Sequence, residues 1–262
     1  MDQFWYGYPV WLWVIAFSFL ALGAVQGLVN AFRFLLAVPG IASMLRFGGP
    51  LQHDRAIQAI CTQRGMVRVE DIGAFVPHML MLERPACRNT YAAPDWSVWF
   101  SEVSDVGKSS FSPNVFAVLM FAAAGLNIPY VAVVRKGAID VPPGARGQSV
   151  QLESIDFTDR FQIHADDRRA AVMLIDPGMM QSLLDLDRVS FQITGPLVTA
   201  IVRQRQPTSK SPTELELLLE FHDGFGAHIP ELTLTEFPAP NGLAAATVQA
   251  MRMIPNLLSP RT

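Results

Sequence analysis

Hydrophobic positions are distributed unevenly along this chain, with an unbroken apolar run at the start and alternating or helically spaced patterns after it. From Tyr8 to Val29 (YPVWLWVIAFSFLALGAVQGLV) there is no charge, and only Ser18 and Gln26 are clearly polar. A helix rises 1.5 Å per residue, so about 20 such residues cross a hydrocarbon core of about 30 Å. Trp5, Tyr6, Tyr8, Trp11 and Trp13 crowd the start of the run, and such rings suit the headgroup region. A cleaved signal peptide carries a positive leader, whereas Asp2 is the only charge before this run. The pattern predicts an uncleaved transmembrane helix over residues 8–29. Arg33 and Arg46 follow it and nothing basic precedes it, which predicts a single-pass cell-membrane protein with its N-terminus outside and its body in the cytoplasm.

The next stretch, NAFRFLLAVPGIASMLRFGGP, is apolar but broken by Arg33 and Pro39. Burying that arginine at the bilayer centre costs about 2.5 kcal/mol or more, so a second pass here is disfavoured. The stretch either lies against the headgroups, with Phe32, Phe34 and Leu35 toward lipid, or continues the anchor helix and packs on the body. Anchor and juxtamembrane segment together occupy residues 1–46, and Gly48, Gly49 and Pro50 end them.

Beyond this point the periodicities predict an α+β body of helices and antiparallel sheet. A helix is expected over Asp54–Arg64, with Ala56, Ile57, Ile60 and Ala59 on one face and Gly65 as its stop. Residues 66–82 begin as a short strand and then read as loop and helix. Aromatic and polar residues alternate from Trp96 to Asp105 (WSVWFSEVSD), as in a half-buried strand. Residues 115–134 are uncharged and long enough for a second membrane span. Gly125, Asn127 and Pro129 punctuate the middle, however, and Val131, Val133 and Val134 are strand formers, which favours a buried β-hairpin. Basic residues on both sides (Arg84, Arg88 and Lys108 before; Arg135, Lys136 and Arg146 after) also give no inside–outside bias across it.

A Pro- and Gly-rich stretch from Ile139 to Gln151 reads as a linker. It divides the body into an α+β part over 47–139 and another over 152–262. In the second part, Phe157–His164 suggests a strand entering a helix, with Asp166 and Asp167 capping the helix that runs to Leu174. Asp176-Pro177 marks another helix start, with Met180, Leu183 and Leu184 facing a core. VSFQIT and LVTAIVRQ, joined by Gly195-Pro196, predict a β-hairpin. A helix over Glu214–Asp223 stopped by Gly224, and another over Leu243–Ile254, complete the chain.

The run from Leu152 to Leu184, followed by VSFQITGPLVTAIV, resembles the C-terminal half of a bacterial family of membrane-anchored proteins whose activity is not established. The matching positions are Leu152, Glu153, Phe157, Phe161, Asp166, Ala170 or Ala171, Pro177 and Leu183, and the similarity covers roughly residues 111 to 204. Members often show two spans before the domain, where this chain shows one. The resemblance implies membrane anchoring and carries over no catalytic residue.

Composition narrows the function further. The net charge is −3 in 262 residues with no basic run, so neither a nucleic-acid footprint nor a polybasic lipid patch is indicated. Cys61 and Cys87 are too few for a disulfide framework and lack zinc-ligand spacing, which makes two reduced thiols the expectation. His222, Asp223, His228 and Glu231 form the densest set of possible metal ligands, yet no CxxC or HExxH accompanies them. A helix ending at His222 and capped by Gly224 explains the same residues. His164, Asp166 and Asp167 have the composition of an acid–base set, and capping accounts for both aspartates. Lys108-Ser109-Ser110 lacks the upstream glycine of a phosphate loop, position 102 being Glu102. Trp96, Trp99, Phe100, Phe111 and Phe116 fit a core layer or an apolar ligand pocket.

No catalytic, cofactor-binding or metal-ligating residue is therefore assigned, and no cofactor. The expected function is a non-catalytic binding or scaffolding module at the inner membrane face. It would contact the bilayer through residues 8–29 and hold a protein partner, without nucleic acid. The alternatives are a membrane-tethered hydrolase with a metal or acid–base site near His222 and His228, and a lipid or small-molecule binder.

Overall fold

The computed structural model describes residues 4–5, 8–9, 50–69, 85–105, 115–138, 146–204 and 213–248. The chain divides into two units, Met1–Leu51 and Gln52–Thr262. In the first, β1 (Phe4–Trp5) and β2 (Tyr8–Pro9) pair antiparallel, with Trp5 opposite Tyr8. The helix expected from Tyr8 thus has its first two positions in extended backbone, as a residue before proline prefers. The remainder of that expectation, 10–29, and the juxtamembrane segment to Arg46 lie outside the described residues. Among the described residues no helix is long and apolar enough to cross a membrane.

α1 (Pro50–Gln63) starts four residues before the expected helix. Its core face holds Ile57 and Cys61, one turn apart, with Ile60 partly buried; Ala59 is exposed instead. The strands of the second unit are β3 (Val67–Arg68), β4 (Pro85–Ala92), β5 (Val98–Asp105), β6 (Val115–Ala122), β7 (Ile128–Arg135), β8 (Gln148–Val150), β9 (Phe161–Ala165), β10 (Ser190–Gly195) and β11 (Leu197–Arg203). Among the described residues they form one sheet in the order β3-β4-β5-β6-β11-β10-β7-β9-β8, with every neighbouring pair antiparallel. The antiparallel sheet body anticipated from the sequence is present. β7, before the 139–151 stretch, pairs directly with β9, after it.

Residues 115–134 are two buried strands, as expected, but they are not a hairpin. β6 pairs with β11 and β7 with β10, so the β10–β11 hairpin sits between them. That inserted hairpin turns tightly at Gly195-Pro196, with Thr194 opposite Leu197. Gly195 has φ +61°, which suits the first central position of a primed hairpin turn. The Ala123 N–H donates to the Pro196 carbonyl at 2.7 Å, fastening the inserted turn to the β6–β7 connection.

The helices are α2 (Ile155–Arg160), α3 (Arg168–Leu174), α4 (Pro177–Leu186), α5 (Thr213–Phe225) and α6 (Glu231–Glu236). Residues 157–164 reverse the expected order, because helix precedes strand here. Ser154 caps α2 by accepting from the Phe157 N–H, and Phe157 and Phe161, four apart, stack at 4.8 Å as the chain enters β9. Asp167 caps α3, accepting from Arg169 N–H at 2.8 Å, whereas Asp166 is held by Arg146 at 2.9 Å and caps nothing. Asp176 caps α4 with Pro177 at its start, as expected. Met179, Leu183 and Leu186 are its buried residues, with Met180 and Leu184 packed against the core at its edge. α5 runs through Gly224, and a 3-10 turn at Gly226–His228 ends it. Residues 243–248 of the last expected helix are helical; the rest of it lies outside the described residues.

Strand alternation gives the sheet two apolar faces. One carries Phe100, Leu119, Val133, Phe191 and Ala200 and packs against α1 to α5 in a single core. The other carries Trp99, Val118, Met120, Tyr130, Ala132 and Ile201 in a second buried cluster.

Candidate functional site

β5 places a carboxylate inside the protein: Glu102, on the helix-covered side with Phe100, is 0% exposed. A charge there is tolerated only if it is paired and hydrogen-bonded. Four side chains do this. Nε2 of His53 lies 2.7 Å from Oε1, and Nε2 of Gln204 donates to the same oxygen. Oε2 accepts from Nδ2 of Asn89 at 2.7 Å and from Nε of Arg88 at 3.0 Å. Asn89 also donates to Oδ1 of Asp54 at 2.7 Å, closing the cluster through α1.

Each donor is positioned by a local feature. β4 is bulged against β5 between Arg88 and Tyr91, and Asn89 takes φ +48°, a left-handed conformation that asparagine tolerates better than most residues. The bulge lets Arg88 and Asn89, adjacent in sequence, both reach one carboxylate. Gln204 extends β11 by one residue, its N–H donating to the Val115 carbonyl at 2.8 Å. His53 and Asp54 are successive residues near the start of α1.

Burial pushes the Glu102 carboxyl upward, but the His53 hydrogen bond and the Arg88 and His53 charges, with Gln204 added, outweigh it and hold the group below the usual glutamate range. His53 is raised above its ordinary value by its hydrogen bond to Glu102, against the opposing effect of burial, with the charges of Glu102 and Asp54 helping and Arg88 opposing. Both shifts favour the charged forms, imidazolium against carboxylate. A carboxylate offers about four lone-pair sites, and here four donors occupy them. A general base needs a lone pair within reach of a substrate proton, and Glu102 has neither exposure nor a spare site. What the arrangement does chemically is fasten α1 to the sheet.

The residues singled out from sequence are dispersed. Nδ1 of His222 lies 3.0 Å from Oδ1 of Asp223, whose other oxygen meets Arg64 at 2.8 Å, tying α5 to the end of α1. The His222 ring stands edge-on to Phe121 at 4.7 Å. His228 is half-buried in the 3-10 turn and Glu231 opens α6. Among the described residues no three or more of His, Cys, Asp and Glu gather as a metal ion would require. His164 faces the second side of the sheet, apart from the roles that Asp166 and Asp167 take up. Trp99 and Phe116 belong to the second cluster with Trp96 packed on it, whereas Phe100 lies on the opposite face and Phe111 is outside the described residues. Neither cysteine is in a disulfide; Cys61 is buried and Cys87 half-buried.

Sequence reasoning missed His53, Arg88, Asn89 and Gln204 and used Glu102 only to reject a phosphate loop. One signal was available: Glu102 shares strand parity with Phe100, so the WSVWFSEVSD alternation sets an acid on a core-facing row.

No protein-family model matches the chain, and no curated protein does. Among solved structures, the crystal structure of the mycobacterial trehalose monomycolate transport factor A, TtfA, is similar at 11% identity and a TM-score of 0.48, covering 72% of this chain and 98% of that one.

Proposed function

We propose that the protein is a membrane-tethered, non-catalytic binding or scaffolding module whose body lies at the inner membrane face. The observation that carries this reading is the saturated Glu102 cluster. The most chemically endowed group of side chains spends its whole bonding capacity on holding α1, and α1 is the element that follows the apolar segment in the chain. A tether transmits position to a body only if the first element after it is fixed to that body, and this cluster fixes it. The test is membrane topology of the full chain with a compartment-specific reporter after Thr262, together with alkaline carbonate extraction. A cytoplasmic signal from a carbonate-resistant protein supports the reading; an external signal or release into the wash overturns it.

A second reading is a lipid or small-molecule binder, and one observation favours it. On the second sheet face, Oγ1 of Thr199 and Nε2 of His164 are buried without a hydrogen-bond partner among the described residues. Thr199 lies between Met120 and Gln192, and His164 between Ala132 and Ser149, in one row across the sheet. Buried polar atoms normally have partners, so a ligand with an apolar body and polar groups would satisfy both. Native mass spectrometry of the purified chain tests this: a co-purified ligand lost on Thr199→Val supports it, and a ligand-free protein of unaltered fold argues against it.

A further inference from the structure

Among the described residues β8 is the last strand on its side of the sheet, three residues long and paired with β9. Its ties are few. Val150 is buried in the main core, whereas Gln148 and Ser149 are exposed. Arg146, just before the strand, holds Asp166 at 2.9 Å, and its guanidinium stands 4.7 Å above the Tyr130 ring. Ion pairs with both partners this open to solvent contribute little, so β8 belongs to the weakly held part of the fold. It cannot loosen by sliding. Gly147 lies so close to the backbone of Ala165 that a Cβ there would stand at 2.7 Å. A slip of one residue would bring Arg146 or Gln148 to that place, so β8 either pairs in this register or leaves.

His164 sits in the middle of this attachment, opposite Ser149 on β8 and Ala132 on β7. Its Nε2 is buried and has no hydrogen-bond partner among the described residues. Burial holds the ring below its ordinary 6.5. A neutral imidazole can stay in such a place, but an imidazolium brings a charge and two N–H donors and needs an acceptor. On this face β7 offers Ala132, Val134 and Tyr130, a phenol kept neutral by burial and already covered by Arg146. β8 offers Ser149, with the charge of Arg146 beyond it. β9 itself offers Gln162 and Asp166, two residues to either side of His164. The carboxylate in this set is Asp166, and Arg146 occupies it.

We infer that β8 is a proton-operated latch: a protonated His164 draws Asp166 away from Arg146, and β8 then leaves the edge of the sheet. With β8 in place the ring resists a proton; with β8 away it meets water and regains its ordinary affinity. The closed form is therefore complete above 6.5 and loses ground as pH falls below that value. Opening is local, because β7, β10, β11 and β6 pair without β8. It uncovers the edge of β9 from Phe161 to Ala165, a row of backbone groups able to take another strand. The latch belongs to the body alone and does not depend on the membrane reading.

The test is amide exchange in the full chain, held in dodecyl maltoside, from pH 7.5 to 5.0. Rates are expressed as protection factors, which removes the pH dependence of intrinsic exchange. The expected result is a several-fold loss of protection at Ser149 and Val150 on acidification, with protection in β6 and β11 unchanged. Its midpoint lies below 6.5 and coincides with the titration of the His164 ring, followed by nuclear magnetic resonance. His164→Gln, which stays neutral throughout, abolishes the loss. Protection at β8 that stays constant down to pH 5.0, or a loss that persists in His164→Gln, overturns the inference. So does a His164 ring that titrates at or above 6.5.

Discussion

Asn89 and Glu102 meet at 2.7 Å across a bulge in β4, and the same amide reaches Asp54 on α1. One nitrogen so links the first helix of the body to the interior of its sheet. Both hydrogens of that amide are used, so the cluster has a defined proton count and responds to substitution in a way that can be read.

Removing Glu102 leaves the largely buried His53 ring without its acceptor, while the half-exposed Arg88 can turn to water. Breaking a buried ion pair by deleting one partner costs about 3–5 kcal/mol. Glu102→Ala should lower stability by about that much, read as the midpoint of urea unfolding, and Glu102→Gln by less because the shape and one acceptor oxygen remain. A Glu102→Ala protein as stable as wild type would mean the cluster holds nothing.

Stability should depend on pH in two windows. The folded His53 is raised above its ordinary 6.5, so its contribution is fully present below 6.5 and fades as pH rises through the folded value. The folded Glu102 is lowered below its ordinary 4.5, so its contribution is present above 4.5 and fades as pH falls through the folded value. His53→Gln should flatten the alkaline slope in urea midpoints and also weaken the acid slope, since the His53 hydrogen bond and charge help hold Glu102 low. An unaltered alkaline slope would remove His53 from the account.

Two adjacent aspartates should behave differently. Asp167→Ala removes the α3 cap and should cost about 0.5–2 kcal/mol. Asp166→Ala removes a partly exposed pair with Arg146 and should cost about 0–1 kcal/mol. Thermal melts of the two variants decide it, and equal losses would contradict the assignment.

Gly147 has φ +86°, and a Cβ there would lie 2.7 Å from the backbone of Ala165. Gly147→Ala therefore meets both a strained conformation and a clash with β9, and should detach β8. The expected reading is faster amide exchange at Ile163–Ala165, with exchange in β6 and β11 unchanged.

The Cys61 thiol is pushed up to about 12 by burial, which leaves almost no thiolate near neutrality. Iodoacetamide at pH 8 should modify Cys61 only as fast as the protein opens, and Ile57→Ala, beside it in the core, should accelerate labelling.

Local signals in the sequence proved the most legible. Asp176-Pro177 and Gly195-Pro196 prescribe their conformations within a few residues, and both do what was expected of them. The strands at 115–134 were readable because punctuation and β-branching are local too. Their partners were not, since nothing in VFAVLMFA or IPYVAVV states that a hairpin some sixty residues downstream will lie between them. α2 escaped because Phe157 and Phe161 suit a strand face as well as a helical turn, and Ser154 decides between them. The Glu102 cluster was hidden for a similar reason: its members come from α1, β4, β5 and β11, and only pairing brings them together.

The insertion of β10–β11 between β6 and β7 has a consequence for the chain while it is being made. β6 and β7 emerge from the ribosome one after the other, each apolar and each able to pair with the other. The pairing the finished protein needs is possible only after Arg203 has been added, several seconds later at about 5–20 residues per second. During that interval the growing chain carries two sticky strand edges next to each other and must either keep them apart or let go of a hairpin it has already formed. A nascent chain held at a membrane throughout that wait would have fewer neighbours to aggregate with than one released into the cytosol.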